Sequence, residues 1–234
     1  MRGAGLVAPR GPGVRVLVYG LGRSGLAVSR LLRRQGHEVV FYDRQPAPEQ
    51  VAELSGLGCQ RLGHPDISKL DPHQVDVVIA APGVPWDHPD LAALRARGLE
   101  TIGEVEWVYR TVDADFIGVT ATAGKTTVTA WLCEVLQGAG VAAKAGGNID
   151  PALAEVAAPG LTLVTELSSF MLERCPRFKP RVAVILNLGA DHLDRHGSLA
   201  AYHAAKRRLL DKLGPGEVFV YNADDATLRA WARA

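Results

Sequence analysis

Short apolar runs alternate along this chain with longer segments in which apolar residues recur every three or four positions. The short runs, rich in Val, Ile, Phe and Tyr, predict β-strands at 15–19, 38–42, 75–80, 115–119, 161–165, 182–186 and 217–221. The longer segments predict helices at 25–35, 89–97, 125–137, 199–213 and 224–234. Because strands that alternate with helices are typical of parallel architecture, we predict an α/β fold with a mainly parallel sheet.

The same pattern indicates where the chain divides. We expect a boundary within 98–112, after three strands of a first unit and just before the strand that leads into a Gly-Lys-Thr turn. With 234 residues and 47% apolar content, the chain can bury two modest cores. The predicted organisation is a flexible N-terminus at 1–13, a first domain at 14–102 and a second domain at 103–234.

Composition excludes several classes of function. A net charge of +1 gives no basic surface for nucleic acid or for an anionic membrane, so the expected partners are small molecules. The three cysteines are isolated, which disfavours a disulfide framework and is typical of a reducing compartment. No apolar run reaches the roughly 20 residues that span a bilayer, and the N-terminus lacks the apolar core of a signal peptide. We expect a cytoplasmic protein without membrane insertion.

The segment 118–127, Gly-Val-Thr-Ala-Thr-Ala-Gly-Lys-Thr-Thr, carries the strongest chemical signal. An apolar strand runs into a turn that opens a helix, an arrangement that holds the phosphates of nucleoside triphosphates. Backbone N–H groups point at the anion, Lys125 supplies a positive charge and the Thr126 hydroxyl can bind Mg²⁺. The general motif has glycine where this chain has Val119, so the loop is a variant. The expected ligand is Mg-ATP.

A second glycine-rich turn, Gly-Leu-Gly-Arg-Ser-Gly at 20–25, follows the first predicted strand and opens a helix. Asp43 ends the next strand, which completes the pattern of a dinucleotide-binding turn whose acid takes ribose hydroxyls. The alternative is that the glycines only let helix and strand pack closely. We favour a nucleotide diphosphate, of which a nicotinamide dinucleotide is one candidate. The turn at 81–84, Ala-Pro-Gly-Val, follows the third strand at the same edge.

Polar residues also follow the later strands. Glu166 closes a strand of buried type, where a carboxylate either faces a cation or is costly to desolvate; a helix-capping role is the alternative. Asp191, His192 and Asp194 follow the next strand, and this mixture of oxygen ligands with one imidazole suits Mg²⁺ or Mn²⁺. By itself, Lys206 beside two arginines is typical of a solvated surface lysine. Asn148 is most simply a turn residue.

In this arrangement the chain resembles the Mur ligases. The resemblance runs from Val14 to the end and rests on the segments 20–25, 118–127, 147–149, 166–170 (Glu-Leu-Ser-Ser-Phe), 191–196 (Asp-His-Leu-Asp-Arg-His), 202–206 and 222–225. The segments at 166–170 and 191–196 separate the D-glutamate-adding members from relatives that add other amino acids.

The resemblance implies a Rossmann-like first domain that grips the UDP end of the substrate, and a P-loop-type ATPase domain after it. It also implies ATP-dependent ligation of D-glutamate to UDP-N-acetylmuramoyl-L-alanine in peptidoglycan synthesis, through an acyl phosphate. ATP phosphorylates the substrate carboxylate, and the amine of D-glutamate then attacks it.

Residue roles follow from the same resemblance. Lys125, His192 and Lys206 would be catalytic. Contacts to ATP would come from Gly124, Lys125, Thr126 and Thr127. Substrate contacts would come from Ser24, Asp43, Arg44, Gly83, Asn148 and Ser168. Metal ligands for one or two Mg²⁺ ions, with Mn²⁺ as a substitute, would be Thr126, Glu166, His192 and a carbamylated Lys206. Because carbamylation requires a neutral amine, Lys206 should be desolvated or crowded by cations.

Several features depart from the family pattern. Ala123 replaces an asparagine-like residue, Asp150 stands where glycine is common and Ala81 where serine often contacts substrate, and the loop to Lys206 is one residue shorter. Ala121 stands where the loop usually has glycine, and a left-handed backbone there would cost roughly 1 kcal/mol or more. The chain also stops soon after 222–225, so we expect a fragment with a truncated ATPase domain, no C-terminal domain and little or no activity of its own. The alternatives from other classes are a non-catalytic nucleotide-sugar-binding protein and an NAD-dependent oxidoreductase.

Overall fold

The computed structural model describes residues 13–62 and 70–233. Its contacts divide the chain between Thr111 and Val112 into two compact units, here called the first and the second unit. The flexible N-terminus predicted at 1–13 lies, apart from Gly13, outside the described residues.

The first unit contains five parallel strands. They are β1 (Arg15–Tyr19), β2 (Glu38–Tyr42), β3 (Gln60–Arg61), β4 (Val77–Ala80) and β5 (Glu100–Ile102). Its helices are α1 (Arg23–Arg34), α2 (Pro48–Gly56), α3 (Pro89–Ala96) and α4 (Glu104–Thr111). The strand order is β3-β2-β1-β4-β5, so the order reverses beside β1. In open α/β sheets this reversal opens a crevice at the carboxyl ends of the strands, where ligands bind.

The β1 strand is central because its residues are apolar on both faces. Val16, Leu17 and Val18 are fully buried, as a parallel strand covered by helices requires. α1 packs on this sheet through Ala27, Val28 and further apolar residues at helical spacing. The sheet therefore holds the β1–α1 turn rigidly at its carboxyl edge.

The second unit also contains five parallel strands. They are β6 (Asp115–Thr120), β7 (Ala143–Gly147), β8 (Thr162–Glu166), β9 (Val182–Ile185) and β10 (Val218–Tyr221). Its helices are α5 (Lys125–Gly138), α6 (Leu153–Val156), α7 (Ser169–Leu172), α8 (Leu193–His196), α9 (Leu199–Arg207) and α10 (Ala226–Arg233). The strand order is β10-β9-β6-β8-β7. The loop after β6 thus lies between the carboxyl ends of β8 and β9.

A compact apolar cluster fixes β6 against its neighbours and α5. It is formed by Val119, Cys133, Ala143, Val164 and Val184, all buried. Val119 pairs in register with Glu166 on β8 and with Val184 on β9. This register brings the ends of three strands level, so the side chains that follow them meet at one edge.

The α/β fold with parallel sheets is confirmed, while several element predictions are wrong in detail. The first unit has five strands rather than three, because β3 is a short exposed pair of residues and β5 has only three. β7 was missed since Ala-Lys-Ala-Gly-Gly lacks β-branched residues. The helix predicted at 199–213 ends at Arg207, and turns follow it.

The three cysteines are free. Across the described ranges, no helix combines the length and the apolar character that crossing a membrane requires.

Candidate functional site

The loop between β6 and α5, residues 121–124, turns through a left-handed glycine. Gly124 has φ +84° and is the N-cap of α5, and no side chain caps this helix end. The first N–H groups of a helix have no intrahelical partner, so they face outward with the positive end of the helix dipole. Among described non-glycine residues only His192 has a positive φ, so Ala121 has an ordinary backbone. The strain considered for Ala121 does not arise, since Gly124 makes the left-handed turn.

Two lysines converge on one carbonyl of this loop. Lys125 Nζ donates to Ala121 O at 2.9 Å and to Thr122 O at 3.1 Å. Lys206 Nζ donates to the same Ala121 O at 2.7 Å and lies 4.6 Å from the centroid of the Tyr202 ring. The loop therefore concentrates positive charge at the carboxyl edge of β6.

Lys206 is buried, with 1% of its surface exposed, so the surface-lysine interpretation is wrong. Burial, with a smaller contribution from the charge on Lys125, lowers the pKa of Lys206 to about 7. The helix α9 places this side chain inward because Tyr202, Ala205 and Lys206 share its buried face. The expected desolvation of Lys206 is confirmed, and much of its amine is neutral near neutral pH.

Glu166, at the end of β8, is buried with one carboxylate oxygen lacking a partner. Its Oε1 accepts a hydrogen bond from Asn148 Nδ2 at 2.8 Å, whereas Oε2 has none among the described residues. Gly147 lies so close that a side chain there would meet Glu166 O at 2.3 Å. A buried carboxylate oxygen without a donor is costly unless a cation faces it, so Glu166 fits a metal ligand.

The loop after β9 places its acids and His192 at the surface. Asp191, His192 and Asp194 are exposed, and His192 Nε2 lies 3.4 Å from Asp191 Oδ2. Within the described ranges, no three His, Cys, Asp or Glu side chains form a group able to hold a metal ion. Any metal here would depend on other ligands, such as the exposed hydroxyl of Thr126.

Asn187, for which the sequence suggested no role, forms hydrogen bonds with the loop between β6 and α5. Its Oδ1 accepts hydrogen bonds from Thr122 N at 3.1 Å and Ala123 N at 3.0 Å, and its Nδ2 donates to Ala123 O at 3.0 Å. Asn187 lies just beyond β9, separated from the last strand residue by the apolar Leu186, whereas Asp43 follows β2 directly. A polar residue at the end of a buried apolar run is the signal that could have identified Asn187.

The Glu-Leu-Ser-Ser-Phe and Asp-His-Leu-Asp-Arg-His segments contact each other. Ser169 Oγ lies 2.9 Å from His196 Nε2, and the His196 ring stacks on Phe170 with centroids 5.1 Å apart. His196 Nδ1 lies 3.5 Å from Glu173 Oε1, and burial lowers the pKa of His196. Ser168 caps α7 by accepting from Met171 N at 3.2 Å. The segments thus form one packed cluster, although they lie far apart in sequence.

In the first unit, packing explains two of the three glycines of the β1–α1 turn. A side chain at Gly25 would meet Gly20 O at 2.0 Å, and one at Gly20 would meet Ala81 Cβ at 3.0 Å. Gly22, by contrast, has open space around it and a backbone that other residues adopt. Close packing therefore explains why glycine is needed at Gly20 and Gly25. It does not explain the glycine at position 22, where a side chain would fit.

Asp43 holds this turn through the backbone. Its Oδ2 accepts from Leu21 N at 2.7 Å and its Oδ1 from Gln45 N at 2.8 Å. Ser24 Oγ donates to Glu104, which is buried. The expected substrate residues Arg44 and Gly83 are exposed at the carboxyl ends of β2 and β4, on either side of β1. Asp43 is thus a support of the turn, in addition to any contact with a ribose.

The chain is similar to known proteins in both units. Residues 14–103 match the family model described as Mur ligase MurD-like, N-terminal domain, and residues 119–234 match that of the Mur ligase middle domain. A UDP-N-acetylmuramoylalanine--D-glutamate ligase of Thermus thermophilus is 50% identical over 218 residues, which cover 93% of this chain and 51% of the relative. The ligase of the same name from Deinococcus radiodurans is 46% identical over 91% of this chain and 45% of its own length. The chain thus spans about half the length of these curated relatives.

Solved structures support the fold. The UDP-N-acetylmuramate:L-alanyl-gamma-D-glutamyl-meso-diaminopimelate ligase from Neisseria meningitides superposes with a TM-score of 0.65 at 21% identity. The match covers 94% of this chain and 75% of that one. At this identity the likeness shows the shared architecture of the two units.

Proposed function

Because the chain belongs to the Mur ligase family, we propose that it carries the UDP-substrate unit and the nucleotide-binding core of a D-glutamate-adding ligase. Mur ligases are ATP-dependent enzymes that form amide bonds. The proposed reaction joins D-glutamate to UDP-N-acetylmuramoyl-L-alanine, the substrates in the names of the similar relatives. The observation that carries the proposal is the loop edge of the second unit, where Lys125 and Lys206 both donate to Ala121 O. At the end of the neighbouring strand β8, the buried Oε2 of Glu166 has no hydrogen-bond partner among the described residues.

The chemistry needs an activated carboxylate. A carboxylate is a poor electrophile, so one of its oxygens first attacks the γ-phosphorus of ATP, which releases ADP and leaves an acyl phosphate. The amine of D-glutamate then attacks the carbonyl carbon, phosphate leaves and the amine loses a proton. Negative charge on the transferring group would be stabilised by Lys125 and by the outward N–H groups of Gly124, Thr126 and Thr127.

A Mg²⁺ ion at this edge would depend on ligands besides His, Cys, Asp and Glu side chains, since no three of these form a metal-binding group within the described residues. Thr126 and Glu166 would hold one ion, and His192 with a carbamylated Lys206 would support a second, where Mn²⁺ could replace Mg²⁺. Such an ion supplies positive charge that offsets the charge on the phosphate oxygens. The buried Lys206, whose pKa is lowered to about 7, has the neutral amine that reaction with CO₂ requires.

The first unit would bind the UDP end of the substrate. Gly22 leaves the backbone of the β1–α1 turn open to a diphosphate, with Ser24 at the start of α1. Arg44 and Gly83 would contact the nucleotide or sugar from the neighbouring strand ends. Asn148 and Ser168 would lie beside substrate or nucleotide in the second unit.

The experiment that tests this function is ADP release by the purified chain with Mg-ATP and UDP-N-acetylmuramoyl-L-alanine. We expect any release to depend on D-glutamate and not on L-lysine as control. A calorimetric titration of UDP-N-acetylmuramoyl-L-alanine tests the first unit separately. Binding without ADP release would support a nucleotide-sugar-binding role for this chain, whereas no binding of either nucleotide would refute the proposal.

A further inference from the structure

We infer that Asn187 is a positioning residue of the nucleotide site, which holds the loop between β6 and α5 in its anion-binding conformation. This inference rests on the proposed function of that loop as the phosphate site. Asn187 itself need not touch the nucleotide. It acts through the backbone of Thr122 and Ala123.

The side-chain amide of Asn187 matches the loop on both of its polar atoms. Its oxygen accepts from two consecutive backbone N–H groups, Thr122 N at 3.1 Å and Ala123 N at 3.0 Å. Its nitrogen donates to Ala123 O at 3.0 Å. Only one orientation of the amide gives these three bonds, because the reverse would direct NH₂ at two donors. Asparagine is therefore required by hydrogen bonding as well as by size.

A second set of contacts joins the same two segments. Gly189 N donates to Thr122 Oγ1 at 2.8 Å, and the Tyr202 hydroxyl lies 3.4 Å from that oxygen. A side chain at Gly189 would meet Thr122 Cγ2 at 3.3 Å, so the approach is already close. The chain after β9 thus lies directly against the loop, and Asn187 is the residue that bonds to its backbone most extensively.

The three bonds decide which donors remain for a phosphate. The N–H groups of Thr122 and Ala123 are directed to Asn187, while the uncapped start of α5 at Gly124 keeps its donors facing outward. Without the Asn187 side chain, Ala123 N and Ala123 O would lose these partners, whereas Thr122 N would keep its bond to the backbone oxygen of residue 187 at 3.2 Å. The loop could then rearrange to satisfy the two Ala123 groups. The cost of restoring the binding conformation would then appear as weaker nucleotide binding.

Three variants test this role. Asn187→Ala removes all three bonds, and Asn187→Asp keeps the acceptor but sets a carboxylate against Ala123 O. Asn222→Ala is the matched control, since Asn222 follows the neighbouring strand β10 and bonds only locally to Asp224 N at 3.0 Å. Hydrogen exchange of the Thr122 and Ala123 amides is measured by NMR, and Mg-ATP affinity is measured by calorimetry on the full chain.

We expect the Ala123 amide to exchange faster and Mg-ATP to bind about tenfold more weakly in Asn187→Ala, with a comparable loss of affinity in Asn187→Asp. The Thr122 amide, which also donates to the backbone oxygen of residue 187, should change less. Binding of UDP-N-acetylmuramoyl-L-alanine and all properties of Asn222→Ala should stay at wild-type values. Unchanged exchange of the Ala123 amide in Asn187→Ala would overturn the positioning role. Faster exchange with unchanged Mg-ATP affinity would overturn its role in binding.

The test separates this inference from the proposed function. A wild-type chain that binds no Mg-ATP would refute the nucleotide site, and the positioning role with it. A wild-type chain that binds Mg-ATP while Asn187→Ala binds it equally well would refute only the positioning role.

Discussion

The two units present the same strand–turn–helix at the carboxyl edge of a parallel sheet, but they hold it with different groups. In the first unit the Asp43 carboxylate accepts from the turn at Leu21 N. In the second unit the neutral Asn187 amide bonds to Thr122 and Ala123, and Lys125 and Lys206 donate to Ala121 O. The first turn is thus supported by a negative carboxylate, and the second by a neutral amide together with Lys125 and the largely neutral amine of Lys206.

This difference agrees with the ligands proposed for the two turns. A carboxylate beside a phosphate repels added negative charge, whereas a neutral amide permits it and a charged lysine attracts it. In the proposed function, the first turn would bind the diphosphate of the UDP end and the second turn would bind the more highly charged triphosphate of ATP.

The largest effect is expected from Lys206, the buried lysine that distinguishes the second unit. The pKa of Lys206 is lowered from 10.5 to about 7, so between these values the unfolded chain binds a proton that the folded chain does not. Wild-type stability should therefore rise with pH across this window, by up to about 1.4 kcal/mol per pH unit. Lys206→Met should abolish this contribution, as measured by urea unfolding at several pH values.

The exposed Lys212 provides the control for this prediction. Lys212→Met should keep the wild-type slope. Equal slopes in wild type and Lys206→Met would show that Lys206 is not held as a largely neutral amine.

The next largest effect is a loss of stability in Gly→Ala variants. Its size should depend on whether glycine is required by close packing or by a positive φ. Gly25→Ala should lower the free energy of unfolding by about 3 kcal/mol, because its Cβ would lie 2.0 Å from Gly20 O. Gly124→Ala should cost roughly 1–2 kcal/mol through its φ of +84°. Gly22→Ala, in open space, should cost little. Chemical denaturation ranks the three, and a large loss for Gly22→Ala would contradict the comparison.

Lys125→Ala should weaken Mg-ATP binding roughly 10- to 100-fold, since a charged donor to phosphate is lost. Binding of UDP-N-acetylmuramoyl-L-alanine should not change, because the proposed function assigns the UDP end of that ligand to the first unit, which does not contain Lys125. Calorimetry on both ligands measures this contrast. Lys144→Ala, at an exposed lysine of β7, is the control. If Lys125→Ala weakened the binding of both ligands to a similar extent, the assignment of one ligand to each turn would be wrong.

The smallest effect is expected at Asp43, the carboxylate that accepts hydrogen bonds from the turn of the first unit. Asp43→Asn should weaken UDP-substrate binding about threefold to tenfold, because asparagine has one acceptor oxygen for the two N–H groups of Leu21 and Gln45. Mg-ATP affinity should stay the same. Asp76→Asn, at a carboxylate that accepts from Arg15 N at the opposite edge of the sheet, is the control. Stronger UDP-substrate binding by Asp43→Asn would show that repulsion outweighs support.

Sequence patterns located most of the strands and the two turns, since β1 and β2 are largely apolar runs followed by a glycine and an acid, and β6 leads into the Gly-Lys-Thr turn. They failed where an element lacks such a run: β7 is Ala-Lys-Ala-Gly-Gly, and β3 is an exposed pair. At the candidate site, Lys125 and Glu166 could be picked out as candidate site residues because of their positions at or beyond the ends of predicted strands. The contacts of Asn187 and of the His196 cluster were not, because each joins segments distant in sequence.

The sequence by itself therefore determined the α/β class, the phosphate-type turn and the family, because each depends on residues close together in the chain. Only the tertiary structure decided the strand order, the burial of Lys206 and the hydrogen bonds between Asn187 and the loop. Lys206 and Ala121 are 85 positions apart, and their contact depends on the packing of α9, which lies against α7 and α8. Such packing sets desolvation and hydrogen bonding, and these turn a surface-type lysine into a largely neutral buried amine.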